Sequence, residues 1–223
     1  MNKQLVARAF AKFFAGLLVV GLLLFLPAGT FRFPNGWLLI ALLFLPMLIA
    51  GVVMMFRNPE LLKKRLNAKE DEREQKAVLV LSGVMFLAAF VVAGLNFRFS
   101  WFTLPVWAVW ASAAVFLAAY LMYAEVMREN AFLSRTVEIQ EEQTVVDTGL
   151  YGVVRHPMYS ATLFLFLSMG LVLGSPVSFA ILLFYIPIIV LRIKNEEQVL
   201  LQGLQGYDEY CKKVKYRLIP FVW

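Results

Sequence analysis

Residues 157–191 read PMYSATLFLFLSMGLVLGSPVSFAILLFYIPIIVL, 35 residues without a single charge. One helix of that length would run about 50 Å, against a hydrocarbon core of about 30 Å. Midway stands Gly174-Ser175-Pro176, and glycine and proline punctuate helices. The stretch therefore predicts a tight hairpin of two short helices, 157–173 and 177–195. Working outward, uncharged runs of 19, 24, 21 and 26 residues lie between Lys12 and Arg32, Arg32 and Arg57, Lys76 and Arg98, and Arg98 and Glu125. Each is long enough to cross a bilayer. The expectation is an all-α integral membrane protein of about six transmembrane helices, a single membrane domain over 1–223. Four spans fill 1–125, and 126–223 forms a functional C-terminal half.

Composition agrees. Of 223 residues, 61% are hydrophobic and 16% charged, against about 45–50% and 25% in soluble domains. That excess excludes a free soluble enzyme and a disordered tail. One cysteine, Cys211, allows no internal disulfide, and one histidine, His156, excludes a multi-histidine metal site. No metal is expected.

Charge sets the orientation. Six spans put the N-terminus, the 57–76 loop, the 125–156 segment and the tail on one side, and these carry 19 of the 21 Lys and Arg. By the positive-inside rule both termini are cytoplasmic, in the cell inner membrane if the source is prokaryotic. All 15 acidic residues fall on the same side. The first apolar stretch is too long for a cleaved signal peptide. The net charge of +6 fits contact with anionic membrane lipids, and no motif points to nucleic acid. In the first loop, Asn58-Pro59-Glu60 has the form of a helix start, and the charged residues after it read as a solvated connector.

The polar chemistry gathers at two places. Segment 126–156 is a long polar connection, with Val137, Ile139, Val145 and Val146 suggesting some extended chain. It ends in Tyr151-Gly152-Val153-Val154-Arg155-His156-Pro157-Met158-Tyr159. The second cluster, Arg192, Lys194, Asn195, Glu196 and Glu197, closes the last span. Arg192 and Glu196 are four apart and share a helix face. Either cluster alone reads equally well as interfacial anchoring or an exposed ion pair. A hairpin, however, brings its outer ends together, so cation, carboxylate, imidazole and phenol converge at one membrane face.

The residues from Gln143 to Tyr159, with VVDTGLYGVVRHPMY inside them, resemble the signature of the isoprenylcysteine carboxyl methyltransferase family. Glu196-Glu197, Gly206-Tyr207, Tyr210, Val214 and Pro220 continue the likeness, which covers about 125–223. It implies an S-adenosylmethionine-dependent membrane methyltransferase with a cytoplasmic-facing cofactor pocket in the C-terminal half. Implied cofactor contacts are Gln143, Thr144, Val145, Val146, Tyr151, Arg155, His156, Pro157, Met158, Tyr159 and the acid at Glu196, with Glu197 one residue away as its alternative. Arg192 would face a substrate carboxylate, so Arg192, Glu196 and His156 are the implied catalytic set. The acceptor would be a small lipidic or apolar molecule, a carboxylate among the options. A sulfonium methyl is already activated, so transfer is largely a matter of alignment. Membrane sterol reductases share a similar C-terminal pattern, making a nicotinamide-dependent reductase the enzymatic rival. A scaffold that retains the fold is the non-enzymatic one. Charge-free span middles weigh against a transporter.

Overall fold

A computed structural model describes residues 3–57, 59, 62–63, 66, 73–130, 132–133, 139–140 and 142–223. Eight α-helices follow one another among the described residues: α1 (Lys3–Ala28), α2 (Pro34–Arg57), α3 (Arg73–Phe99), α4 (Val106–Glu129), α5 (Pro157–Val172), α6 (Pro176–Leu182), α7 (Tyr185–Gly203) and α8 (Tyr207–Lys213). A 3-10 turn, Gly149–Gly152, precedes α5. No strand occurs among the described residues, so the extended chain suggested for Ile139, Val145 and Val146 pairs with nothing. Val137 and most of the proposed helix start and connector, including Asn58, Glu60 and Leu61, lie outside the described residues.

Five stretches are long and apolar enough to cross a membrane: Gln4–Ala28, Pro34–Arg57, Lys76–Phe99, Val106–Glu129 and Pro176–Gly203. The remaining apolar helix, α5, has 16 residues and is shorter than the usual span. Its surroundings fix its length. Pro157 occupies its first turn, and Gly174 takes the left-handed region at φ 71° just past its end. Ser175 then caps α6, its hydroxyl accepting from the Ser178 N–H at 3.2 Å.

The last stretch differs from a plain 177–195 helix in two ways. It breaks between Leu182 and Tyr185, and it runs on to Gly203. Pro187 explains the break, because it offers no N–H to the carbonyl of Leu183. The extension follows from Glu196 to Gln202, which are all compatible with a helix.

Packing depends on close backbone approach. α1 packs along α3, α4 along α5, and α3 also meets α6 and α7. A Cβ on Gly94 would lie 2.5 Å from the Leu24 carbonyl oxygen, so glycine lets α3 touch α1. Gly170 serves α5 and α6 similarly, with the Phe179 backbone nitrogen 2.5 Å from such a Cβ. The core between them holds Leu24, Leu39, Ala89, Phe116, Leu182 and Ile189. Outward faces are apolar too: Leu26, Phe56, Trp107 and Leu121 are each at least 70% exposed. Apolar exposure on that scale suits lipid rather than water. The chain is an integral membrane protein.

Candidate active site

The site is assembled where α4 ends, α5 begins and α7 leaves the apolar layer. At the end of α4, the Glu129 carboxylate accepts from the Leu150 N–H at 3.1 Å and so caps the 3-10 turn. It leaves no room for a side chain at Gly149, where a Cβ would fall 1.6 Å from Glu129 Oε1, and where φ is +52°. Asn130 Nδ2 donates to the Tyr151 hydroxyl at 2.9 Å. The Tyr210 hydroxyl donates to the Tyr151 carbonyl at 2.7 Å. Tyr151 is thus braced from α4 and from α8.

Behind the next residues sits a buried charge cluster centred on Glu197. Its Oε1 accepts from Arg155 Nε at 2.7 Å and lies 3.2 Å from His156 Nε2. Its Oε2 accepts from Arg217 Nε at 2.7 Å. Arg155 also donates to the Val214 and Lys215 carbonyls at 2.9 and 3.2 Å. The backbone N–H groups of Arg155 and His156 donate to Tyr216 and Arg217 carbonyls, both at 2.9 Å. Ser160 Oγ donates to the Leu218 carbonyl at 2.5 Å. The tail is therefore strapped across the start of α5. A carboxylate this well supplied with donors satisfies the rule that a buried charge be paired and hydrogen-bonded.

On the other side of His156 a second chain of contacts runs along α7. Arg192 Nε donates to the Tyr159 hydroxyl at 2.8 Å, and that hydroxyl donates to Glu196 Oε2. His156 Nδ1 is 3.9 Å from Glu196 Oε1. The imidazole stacks on the Tyr159 ring with centroids 5.8 Å apart.

These groups surround a cavity of about 820 Å³, counting its open mouth. Of the residues singled out from sequence, Gln143, Thr144, Val145, Val146, Tyr151, Arg155, His156, Met158, Tyr159 and Glu196 line it. Three do not. Pro157 is buried in the first turn of α5, Glu197 stands behind Arg155 and His156, and Arg192 reaches the cavity through Tyr159. The two neighbouring acids are thereby separated in role: Glu196 faces the cavity and Glu197 holds the wall.

Sequence reasoning gave no site role to Asn130, Phe132, Leu133, Leu200, Leu204, Tyr207 and Tyr210, which also line the cavity, although Tyr207 and Tyr210 belong to the family-like pattern. Leu200 and Leu204 continue the face of Glu196 at spacings of four, a signal that helical periodicity contained. Asn130 and the α8 tyrosines arrive through folding across long sequence distances. Burial pushes the hydroxyls of Tyr207 and Tyr210 well above the usual phenol range, so both stay protonated.

The cavity combines a polar wall with an apolar one. Val145, Leu200 and Leu204 supply apolar wall, and Glu196 supplies a carboxylate at the rim with its side chain 24% exposed.

Residues 109–202 match the isoprenylcysteine carboxyl methyltransferase (ICMT) family. Over that stretch the chain is similar to this family. The matched ICMT segment runs from early α4 almost to the end of α7 and contains most of the cavity wall. It stops short of α8 and of Arg217, which nonetheless complete the candidate site from outside the matched residues. The chain is also 32% identical over 91 residues to the mouse (Mus musculus) Delta(14)-sterol reductase TM7SF2. That similarity covers 40% of this chain and 22% of the reductase, so the chain matches about a fifth of the length of that relative.

Proposed function

We propose that the protein is a membrane methyltransferase that uses S-adenosylmethionine and methylates a small lipidic or apolar acceptor. The observation that carries this reading is the cavity itself. It lies largely within the family-matching segment and sets Glu196, His156 and Tyr159 on one wall against aliphatic residues on another. Bound there, the cofactor would supply an activated methyl group on a sulfonium.

In this reading Gln143 through Val146, Tyr151, Arg155, His156, Met158 and Tyr159 hold the cofactor, and Glu196 binds its positive or hydroxyl groups. Pro157 acts indirectly by fixing the first turn of α5. The Glu197 carboxylate keeps Arg155 and His156 in place. Arg192 orients the Tyr159 hydroxyl. Catalysis is then mainly alignment in a site screened from water. The acceptor enters sideways from the bilayer, and the basic face, with both termini and the cavity, is cytoplasmic. Pro157–Val172 together with Pro176–Gly203 forms the last hairpin, giving six spans.

Calorimetric titration of S-adenosylhomocysteine into the detergent-purified chain tests this. Micromolar binding that is lost in a folded Glu196→Ala variant is the expected result. A folded, monodisperse sample that binds none removes the methyltransferase reading.

The similarity to a sterol reductase favours a second reading, a reductase using a nicotinamide cofactor in the same cavity. Displacement of S-adenosylhomocysteine by a reduced nicotinamide dinucleotide, or binding of the dinucleotide alone, separates the two.

A further inference from the structure

The buried Glu197 cluster dictates which nitrogen of His156 carries the proton. Glu197 receives Arg155 Nε on Oε1 and Arg217 Nε on Oε2, both at 2.7 Å. A carboxylate between two guanidinium groups is ionised and can only accept hydrogen bonds. His156 Nε2, 3.2 Å from Oε1, must therefore be its N–H donor. In the neutral ring the lone pair then belongs to Nδ1. Among the described residues Nδ1 makes no hydrogen bond, and the nearest carboxylate oxygen is Glu196 Oε1 at 3.9 Å. Both His156 and Glu196 line the cavity.

We propose that Glu197 locks His156 as the Nε2–H tautomer so that Nδ1 is a proton acceptor in the cavity, and that the acceptor is a protic nucleophile: an amine, a thiol or an alcohol. The substrate half of this proposal rests on the methyltransferase reading; the tautomer half does not. In the reaction, the acceptor's lone pair forms the new bond to the methyl carbon. The carbon–sulfur bond breaks with its electron pair going to sulfur, and the acceptor's proton moves to Nδ1. The imidazolium so formed lies between Glu197 and Glu196, with the Tyr159 ring stacked beside it. The other charged or titratable groups around it are Arg155 on its own segment, Arg217 from the tail and Tyr207 from α8, the last two reached through Glu197. The arrangement has the logic of a carboxylate–histidine pair, in which the buried acid sets the tautomer and steadies the charged ring. Glu197 is the positioning residue, and His156 is the catalytic one.

Because the chain has a single histidine, isotopic labelling of histidine nitrogen gives one Nδ1 and one Nε2 resonance from the full chain in micelles. The expected spectrum of the neutral ring shows a protonated Nε2 and a lone-pair Nδ1. The opposite tautomer overturns the proposal. In Glu197→Gln the amide can donate as well as accept, so a mixed or reversed tautomer is expected; an unchanged one overturns the role of Glu197. Should that variant fail to fold, the wild-type spectrum still decides the tautomer.

The substrate half is read with decanethiol, decylamine and decanoate as probes and isotope-labelled S-adenosylmethionine at saturation. Methylation of the thiol or the amine is expected, falling about a hundredfold or more in His156→Gln. Methylation of decanoate alone, or undiminished turnover in His156→Gln, overturns it. If the chain binds no S-adenosylhomocysteine, the methyltransferase reading and the substrate half fall together, while the tautomer assignment is judged by its own spectrum.

Discussion

The two halves of the molecule are held together by different physics. In the first four helices the Tyr120 hydroxyl, which donates to the Leu43 carbonyl at 2.8 Å, ties α4 to α2. Apart from a few polar links such as that of Asn96 to Phe102, the contact among the described residues is apolar side chains and small residues such as Gly94, Ala89 and Ala93. From Asn130 onward, Arg155, His156, Tyr159, Ser160 and Glu197 are bound to partners 33 to 60 residues away. Lipid gives the first half no hydrophobic drive between helices, so shape and close approach decide its packing. The second half emerges where water and membrane meet, and there buried polar groups can each be satisfied and can specify one arrangement.

That contrast can be attacked most severely at its polar centre. Glu197→Ala leaves Arg155 and Arg217 without their shared carboxylate, in a site where Glu197 is 6% exposed. The expected loss is about 3–5 kcal/mol, seen as a collapse of thermal stability in detergent together with loss of ligand binding. In the apolar half, Gly94→Val should come next. The added groups meet the Leu24 carbonyl at 2.5 Å, and forcing α1 from α3 costs about 1–3 kcal/mol, measurable as a lowered melting temperature. Binding in the cavity should survive in whatever fraction stays folded.

Tyr159→Phe sharpens the comparison, because it removes chemistry but little volume. It breaks the link from Arg192 to Glu196, and S-adenosylhomocysteine affinity should fall about tenfold, with a smaller change in melting temperature. An unchanged affinity by calorimetry would mean that the link is structural only. The exposed Asp147–Lys213 pair, 2.6 Å apart, should matter least. Lys213 holds the Asp147 carboxyl below its ordinary range. Its small stabilisation is therefore complete above the unfolded carboxyl pKa and disappears as pH falls through the lowered folded value. Comparing melting temperatures of wild type and Asp147→Asn across that window should show a small gap at neutral pH that closes in acid and narrows in salt.

Much of the fold was legible because membrane spans announce themselves by length and absence of charge. Gly174-Ser175-Pro176 was readable as a break, since its three residues act locally. The break before Tyr185 was also local in cause, yet Pro187 near the start of a helix and Pro187 inside one look alike in a one-dimensional run. The candidate site was legible in part. The strings around His156 and Glu196 carry their own residue types, and the turn at Gly174 brings them near each other. Asn130 had no such signature, and Tyr207 and Tyr210, though part of the family-like pattern, gave no hint of lining the cavity, because all three reach it only through folding across the chain.

The sequence by itself determined that this is a bundle of apolar helices, and it singled out two polar clusters in the C-terminal half. Those properties follow from hydropathy and charge, which every residue carries wherever it is placed. Only the tertiary structure decided which of two adjacent acids faces the cavity. Helical geometry turns successive side chains by about 100°, so Glu196 and Glu197 must point apart. Which of them meets Arg155 and Arg217 depends on how α7 is rotated against α5 and the tail, and that is settled by packing.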